Sequence, residues 1–443
     1  VAERMLEMAA QVPEVPDQLD GTLAAVQREI GTEYAPDQRE AILKAARSTV
    51  MLLTGGPGTG KTTTVNGILG LFDRLGIKTV LAAPTGRAAN RMKELCGREA
   101  ATIHRLLETQ YDPESGNLCF MHDESEPLKA DAVVVDETSM VDILLMAALL
   151  KALKPHCRLI LVGDPDQLPS VGAGNLFSDL IRSGKVPTVR LTEIFRQARE
   201  SLIIMNAHAI NAGQLPELTV KTRYFSSSSA GTCSGRWTPL WISAPAVCRR
   251  TWAFPRIRSV LRHRKPMRTA ALNMRLQAAL NPPSVDKQEH KRGKILFRVG
   301  DRVMQIKNNY DIMWKKTEGF GVGTGVFNGD VGKVTEIDPG EETMTVVFDD
   351  RQVEYTFDLL GQLELAYAMT VHKSQGSEYR AVILSVSQAN PYLLTRSILY
   401  TAVTRAKELL ILVGDPAVVQ QMVENNRQSR RYSGLKLRLE KDG

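Results

Sequence analysis

Gly55-Gly56-Pro57-Gly58-Thr59-Gly60-Lys61-Thr62 follows an apolar run at 50–54 and opens a helical pattern. In that setting the backbone amides of Gly56, Gly58 and Gly60 can wrap a chain of phosphates, and the start of the helix adds partial positive charge. Lys61 would reach the β and γ phosphates, Thr62 would ligate Mg²⁺, and Thr63 completes the nucleotide-binding set. A simple glycine turn would need neither the Lys-Thr pair nor the flanking strand and helix. Val133-Val134-Val135-Asp136-Glu137 lies 75 residues beyond Lys61 and reads as a strand ending in two acids. Asp136 would hold Mg²⁺ and Glu137 would polarise an attacking water as general base. A further apolar run at 159–162 delivers Asp164-Pro165-Asp166-Gln167, with Gln167 placed to sense a γ-phosphate. This is the chemistry of ATP hydrolysis, with ATP and Mg²⁺ as the implied small molecules.

These groups need a scaffold that brings strand ends together. Short apolar runs at 50–54, 79–83, 132–135 and 159–162 alternate with helical stretches, the pattern of a parallel sheet covered by helices on both faces. A second set follows after Val189, with apolar runs at 381–386 and 409–413, so two α/β domains are expected. Two insertions interrupt them. Residues 108–129 carry a turn signal at Asp112-Pro113-Glu114-Ser115-Gly116-Asn117 and predict a β-hairpin standing off the first domain. Residues 294–357 show period-2 runs at 302–306, 332–337, 343–348 and 351–357, separated by Asn328-Gly329-Asp330, Asp338-Pro339-Gly340 and Asp349-Asp350, which predicts a small antiparallel barrel. The expected organisation is an N-terminal helical remnant or linker at 1–33, a first α/β domain at 34–190, a second built from 191–293 and 358–430 around the barrel, and a basic tail at 431–443.

The 443 residues, 43% hydrophobic and 24% charged, are ordinary for globular protein and suggest neither disorder nor a membrane protein. The start has no initiator Met and no signal-peptide pattern, and reads as the trimmed end of a longer protein. Five cysteines without C-x-x-C spacing argue against a zinc site or a disulfide framework and point to a reducing, cytoplasmic setting. The net charge of +7 invites a nucleic-acid reading, but it is local. Between Glu217 and Asp286, 68 residues hold 12 Lys or Arg and no acid, leaving 44 basic residues against 49 acids elsewhere.

The motifs in this order resemble superfamily 1 helicases, and Val162-Gly163-Asp164-Pro165-Asp166-Gln167-Leu168-Pro169-Ser170-Val171-Gly172-Ala173-Gly174-Asn175 is similar to the RecD group, over roughly residues 34–414. The resemblance implies two RecA-like P-loop domains with ATP in the cleft between them, a pin hairpin inserted in the first and an SH3-like barrel inserted in the second. It implies a motor running 5′ to 3′ on single-stranded DNA, splitting the duplex at the hairpin, with a place in DNA repair and recombination. Tyr34-Ala35-Pro36-Asp37-Gln38 resembles the Q motif, with Gln38 facing adenine. Residues 83–89 and 101–106 resemble elements that touch the strand's backbone, through Thr85 and His104. The segment 191–197 resembles the motif that offers an arginine across the cleft, here Arg196. Residues 366–379 resemble motif V, with Thr370, His372 and Ser374 facing nucleic acid and Glu378 meeting the ribose. Residues 400–407 resemble motif VI, with Arg405 as a second arginine finger.

Other readings of single residues stand beside these: His104 and His372 as surface histidines, Glu378 as a solvated charge. For the whole chain the alternatives are a superfamily 1 RNA helicase, a non-translocating P-loop ATPase that switches a protein partner, and an inactive nucleic-acid-binding module. The last requires damage that Lys61, Asp136, Glu137 and Arg405 do not display.

One interval departs from the rest. Residues 220–269 hold Ser226 to Ser229, three of the four tryptophans and two of the five cysteines, with no surviving period of 2 or 3.6. Arg256, Arg258, Arg262, Arg264 and Lys265 interrupt its best apolar candidate, 257–261, where a core strand is needed, and unpaired buried charges are costly. The stretch reads as one translated in another frame, or otherwise altered, between intact ends; a basic arm gripping phosphates is the competing reading. Peptide mass mapping across 221–275, with resequencing of the gene, is expected to expose a frame change, and an unbroken native reading frame there would remove the idea.

Overall fold

The computed structural model describes all residues except 113–116, 219–224, 230–239, 244–268, 387–389, 428–432 and 442–443; for 109–112, 117–119, 196–197, 225–229 and 240–243 it describes the backbone alone. The chain divides into two compact units, Val1–His208 with Gln428–Gly443, and Ala209–Arg427. Each is built around its own sheet.

In the first unit six strands pair in parallel in the order Ala100–Thr102, Thr79–Ala83, Ala132–Val135, Arg158–Gly163, Val50–Gly55, Thr188–Leu191. Val50–Gly55 and Ala132–Val135 are buried along their whole length, as strands covered on both faces must be. Alternate residues feed two cores: Leu52, Val133, Val135 and Leu161 enter one, Leu53, Val134, Ile160 and Val162 the other. The parallel strands end within about two residues of one another, Val135 opposite Leu161 and Thr54 opposite Gly163, so the loops that leave Val50–Gly55, Ala132–Val135 and Arg158–Gly163 emerge along one rim of the sheet. Thr109–Asp112 and Asn117–Phe120 pair only with each other, giving the expected hairpin on this unit.

Three boundaries differ from the sequence reading. Thr188–Leu191 pairs with Val50–Gly55, so residues 191–208 continue the first unit. Ala2–Ala10, expected to be a remnant or linker, buries Ala2, Met5 and Met8 in the first unit's core. The expected basic tail contains the helix Leu435–Lys441, whose Leu435 and Leu439 enter that same core; the spacing of four puts both leucines on one helical face.

The second unit carries a five-stranded sheet in the order Met369–Thr370, Leu240–Ser243, Tyr379–Val386, Ala406–Gly414, Phe225–Ser229. Tyr379–Val386, Ala406–Gly414 and Phe225–Ser229 run parallel, whereas Leu240–Ser243 is antiparallel to both its neighbours. Apart from Phe225–Ser229, Leu240–Ser243 and Thr269, the interval 220–269, expected to be read in another frame or otherwise altered, lies outside the described residues. A seven-stranded antiparallel sheet follows, ordered Val322–Val326, Asn309–Lys316, Arg351–Thr356, Thr343–Phe348, Val331–Asp338, Arg302–Gln305, Leu363–Leu365. It extends past the predicted boundary at 357 and includes a hairpin, Asn309–Lys316 with Val322–Val326, that the sequence reading left out.

A polar seam ties this insertion to the helix Thr269–Leu280. Buried Asp301 accepts hydrogen bonds from Gln277 Nε2 (2.5 Å), Asn281 Nδ2 (2.7 Å), Tyr367 Oη (2.8 Å) and the Arg298 amide (2.8 Å). One turn before Gln277, Asn273 donates to the carbonyls of Leu365 and Ala368 and accepts from the Ala368 amide (2.8, 2.9 and 2.7 Å). Burial pushes the Asp301 carboxyl above its ordinary range while the side-chain donors pull it back. Asp301→Ala would strand several buried donors at once, and is expected to cost about 3 kcal/mol or more in denaturant-induced unfolding. A loss below about 1 kcal/mol would show that the seam is dispensable.

Candidate ATP site and strand-facing elements

The loop after Val50–Gly55 closes on itself. Gly58 and Gly60 take left-handed φ values of 75° and 79°. A Cβ on Gly60 would lie 2.5 Å from Gln38 Nε2 and 2.7 Å from the Phe195 ring, so glycine is required there on both counts. Lys61, the first residue of the helix Lys61–Arg74, donates from Nζ to the carbonyls of Gly55 (2.6 Å) and Gly56 (2.9 Å). Its ammonium thus lies over the loop whose amides would receive phosphate. Thr62 is half-buried and Thr63 exposed on the same first turn.

Asp136 and Glu137 follow the neighbouring rim, as expected, and the Asp136 amide donates to Ala82 O (3.0 Å). Asp136 Oδ1 accepts from the Glu137 amide (2.8 Å), and Glu137 itself adopts φ 51°, ψ 39°, a backbone conformation rare for a side chain of its size. Burial and the adjacent Glu137 charge push the Asp136 carboxyl up to about 6, against the pull of the Glu137 amide, Arg91 and Lys61. Two carboxylates crowded beside one lysine are the donor chemistry of a hard divalent cation, so the residues fit Mg²⁺, which Thr62 and Asp136 would hold. On the third loop Asp164 is buried, accepts from the Asp166 amide (3.0 Å) and receives Gln167 Nε2 (3.4 Å), so Gln167 is fastened beside the two other rim loops.

Gln38 is 2% exposed and spans the loop from behind. Its Oε1 accepts from the Ala35 amide (3.1 Å) and its Nε2 donates to Gly60 O (3.2 Å). The amide therefore braces the phosphate loop directly. Phe195 was not singled out from sequence, yet its amide donates to Gly58 O (3.3 Å) and its ring covers Gly60 beside Gln38. The signal available was an aromatic residue immediately before Arg196. The segment around Arg196 requires a correction. The helix Arg196–Arg199 belongs to the same unit as the phosphate loop and does not reach it from the second one, because Thr188–Leu191 completes the first sheet and leads the chain over the loop. The side chain of Arg196 lies outside the described residues.

Among the expected strand contacts, Thr85 caps the helix Gly86–Cys96, its hydroxyl accepting from the Ala88 amide (3.3 Å). His104 lies with its ring 6.0 Å from that of Phe120 at the foot of the hairpin, and burial holds its imidazole below the ordinary value, hence neutral at physiological pH. It can offer a hydrogen bond but no cation. In the second unit Thr370 accepts from the Lys373 amide (3.4 Å) and His372 is exposed. Ser374 departs from expectation: it is fully buried and its hydroxyl donates to Val371 O (2.6 Å), so its side chain does not face a strand. Glu378 is half-buried and pairs with Lys407 (3.3 Å). Arg405 is buried, donating to Thr401 O (3.3 Å), Ser377 O (3.4 Å) and Thr404 Oγ1 (3.2 Å), which joins the two motif segments across the paired strands Tyr379–Val386 and Ala406–Gly414.

Residues 38–173 match the AAA domain family, 272–348 the "ATP-dependent RecD-like DNA helicase SH3 domain", and 365–413 the "UvrD-like helicase C-terminal domain". The chain is 35% identical over 413 residues to the ATP-dependent RecD2 DNA helicase of Deinococcus radiodurans, covering 93% of this chain and 53% of that protein. It is 32% identical over 475 residues to the RecBCD enzyme subunit RecD of Mycolicibacterium smegmatis, covering 96% of this chain and 78% of that one. Among solved structures, the Pif1 helicase from Bacteroides in complex with ADP-AlF3 and ssDNA aligns with a TM-score of 0.49 at 19% identity, over 90% of this chain and 95% of that one. The chain belongs to the RecD-like family of superfamily 1 DNA helicases. It spans about half the length of the Deinococcus relative. Among the described residues no helix is long and apolar enough to cross a membrane.

Glu137→Gln keeps the shape of the side chain and removes its basicity. It is expected to lower ATP turnover roughly 10²- to 10⁴-fold while leaving binding of an oligonucleotide intact, and Lys61→Ala should do likewise. Full turnover in either variant, measured by phosphate release, would exclude these residues from the reaction.

Proposed function

We propose that this chain is the motor of an ATP-dependent DNA helicase that translocates 5′ to 3′ on single-stranded DNA and separates duplex at the hairpin Thr109–Asp112 and Asn117–Phe120. The observation that carries the reading is the convergence of Lys61, Asp136 with Glu137, and Gln167 on three neighbouring strand ends of one parallel sheet. In the proposed reaction the loop amides and Lys61 hold the phosphates, Glu137 takes a proton from the attacking water, and Gln167 reports the γ-phosphate. Mg²⁺ held by Thr62 and Asp136 would neutralise charge developing between the β and γ phosphates. The Phe195 ring over Gly60 supports an apolar face for the nucleoside, with Gln38 adjacent for adenine and Glu378 for the ribose. Arg405 is proposed to stabilise the transition state when nucleotide is bound; its fixed hydrogen bonds within the second unit support a pre-organised guanidinium. Thr85, His104, Thr370 and His372 are the proposed strand contacts, and Arg196 a second cation at the phosphates. Duplex junctions are the proposed substrate, in a reducing cytoplasmic setting with which the free thiols of Cys96 and Cys157 are consistent.

Strand separation on duplexes with a 5′ or a 3′ overhang, followed in parallel with ATPase, tests this directly. Replacing residues 112–125 by a short Gly-Ser turn is expected to abolish unwinding and spare stimulation of ATPase by single-stranded DNA. Normal unwinding by that variant would remove the pin assignment. Preference for a 3′ overhang would overturn the polarity, and stimulation by RNA in place of DNA the substrate.

A further inference from the structure

The helix Gly86–Cys96 joins two parts of the first unit that the reaction has to couple. Its N-terminal end carries Thr85, a proposed strand contact, and its second turn carries Arg91, whose Nη1 lies 3.9 Å from Glu137 Oε1. The Arg91 side chain is 30% exposed and that of Glu137 11%, so the pair is largely withdrawn from screening by solvent. Arg87 and Arg91 are four residues apart and share a helical face, separated by about 6 Å along the axis. A pull on one is a pull on the other, because a hydrogen-bonded helix moves as a body.

The seat of this helix favours such movement. Ala88 and Ala89 at its N-terminal end rest on Ala83, with Ala100 beside them, in a patch of methyl groups, whereas Met92 further along anchors it in one of the two main cores. Methyl groups interdigitate little, so a small tilt of the N-terminal end about Met92 breaks few contacts. Glu137, by contrast, is held by a backbone in the left-handed region, with Met140 N donating to its carbonyl (3.0 Å), so the carboxylate cannot simply follow the helix.

We propose that Arg91 restrains Glu137 when no strand is bound, and that a strand engaging the Thr85 end of the helix loosens the pair, which makes hydrolysis strand-dependent. Arg91 is a positioning residue in this scheme: it touches neither nucleotide nor strand and acts through the base. A carboxylate held toward the Arg91 guanidinium is aimed at the helix instead of at water. The inference rests on the reading of the chain as a strand-stimulated ATPase.

The test measures ATP turnover of the full chain with and without oligo(dT), with oligo(dT) affinity followed by anisotropy, for the wild type, Arg91→Ala and Arg91→Lys. Arg91→Ala is expected to raise the strand-free kcat roughly fivefold, the scale of one partly screened ion pair, with the KM for ATP and the oligo(dT) affinity unchanged. The strand-bound rate stays where it was, so the stimulation ratio falls by the same factor, and Arg91→Lys largely keeps the restraint. An unchanged strand-free rate overturns the proposal. So does an equal fall with and without strand, or a raised KM, since either is what a merely structural arginine would give. If the wild type is not stimulated by oligo(dT), the strand-stimulated reading fails by itself, and the strand-free comparison still decides whether Arg91 restrains the base.

Discussion

Two like charges on consecutive residues at the mouth of a buried strand are the constraint around which the first unit is organised. Burial at the end of a fully buried strand and the adjacent Glu137 charge both raise the cost of ionising Asp136. Everything near them is compensation: Lys61 on one neighbouring loop, Arg91 on the covering helix, the Glu137 amide turned onto Asp136. Such a site favours a polyanion only when that polyanion brings its own cation, which is how a nucleotide arrives in the cell. The parallel order of the strands makes the arrangement possible, since it delivers three loop starts to the same rim.

The second unit solves a different problem, that of holding an inserted sheet firmly to its host. It does so with one buried carboxylate and a row of amides at Asn273, Gln277 and Asn281, spaced by four so that all point the same way. Because Asn273 reads the backbone at Leu365 and Ala368, the same seam fixes the chain just before Met369–Thr370, Thr370 being one of the proposed strand contacts. Position there is set by hydrogen bonds with strict geometry, where apolar packing alone would tolerate slippage.

The legible parts of this molecule were those whose residue types serve only one purpose. Gly58, Gly60 and Lys61 announce a phosphate loop, and Val133 to Glu137 a strand with a charged end, because few other structures use those residues in that order. The fold class followed from the alternation of apolar runs with helices, and membership of the RecD-like family agrees with it. What escaped notice depended on partners distant in sequence. Ser374 has a residue type suited to a strand, but its hydroxyl is claimed by Val371 in a single tight turn. Phe195 looked like an ordinary aromatic until Thr188–Leu191 brought it over Gly60. The hairpin Asn309–Lys316 with Val322–Val326 was hidden by Gly319, Gly321, Gly323 and Gly325, which erase the alternation, and by the register shift between Asn309 and Met313. Leu435 and Leu439 sit among so many basic residues that the segment resembled a tail.

That last helix bears on how the chain is made. Leu435–Lys441 packs against Leu176–Ser183 and Ala2–Ala10, although the ribosome produces it more than two hundred residues after either. Domains generally fold in the order in which they are synthesised. Here the order is broken, because the whole second unit must leave the ribosome before the first can cover the surface that Leu435 and Leu439 seal. Throughout that interval the nascent first unit would expose an apolar patch next to its N-terminal helix, and a chain stopped short of residue 435 would keep it exposed for good.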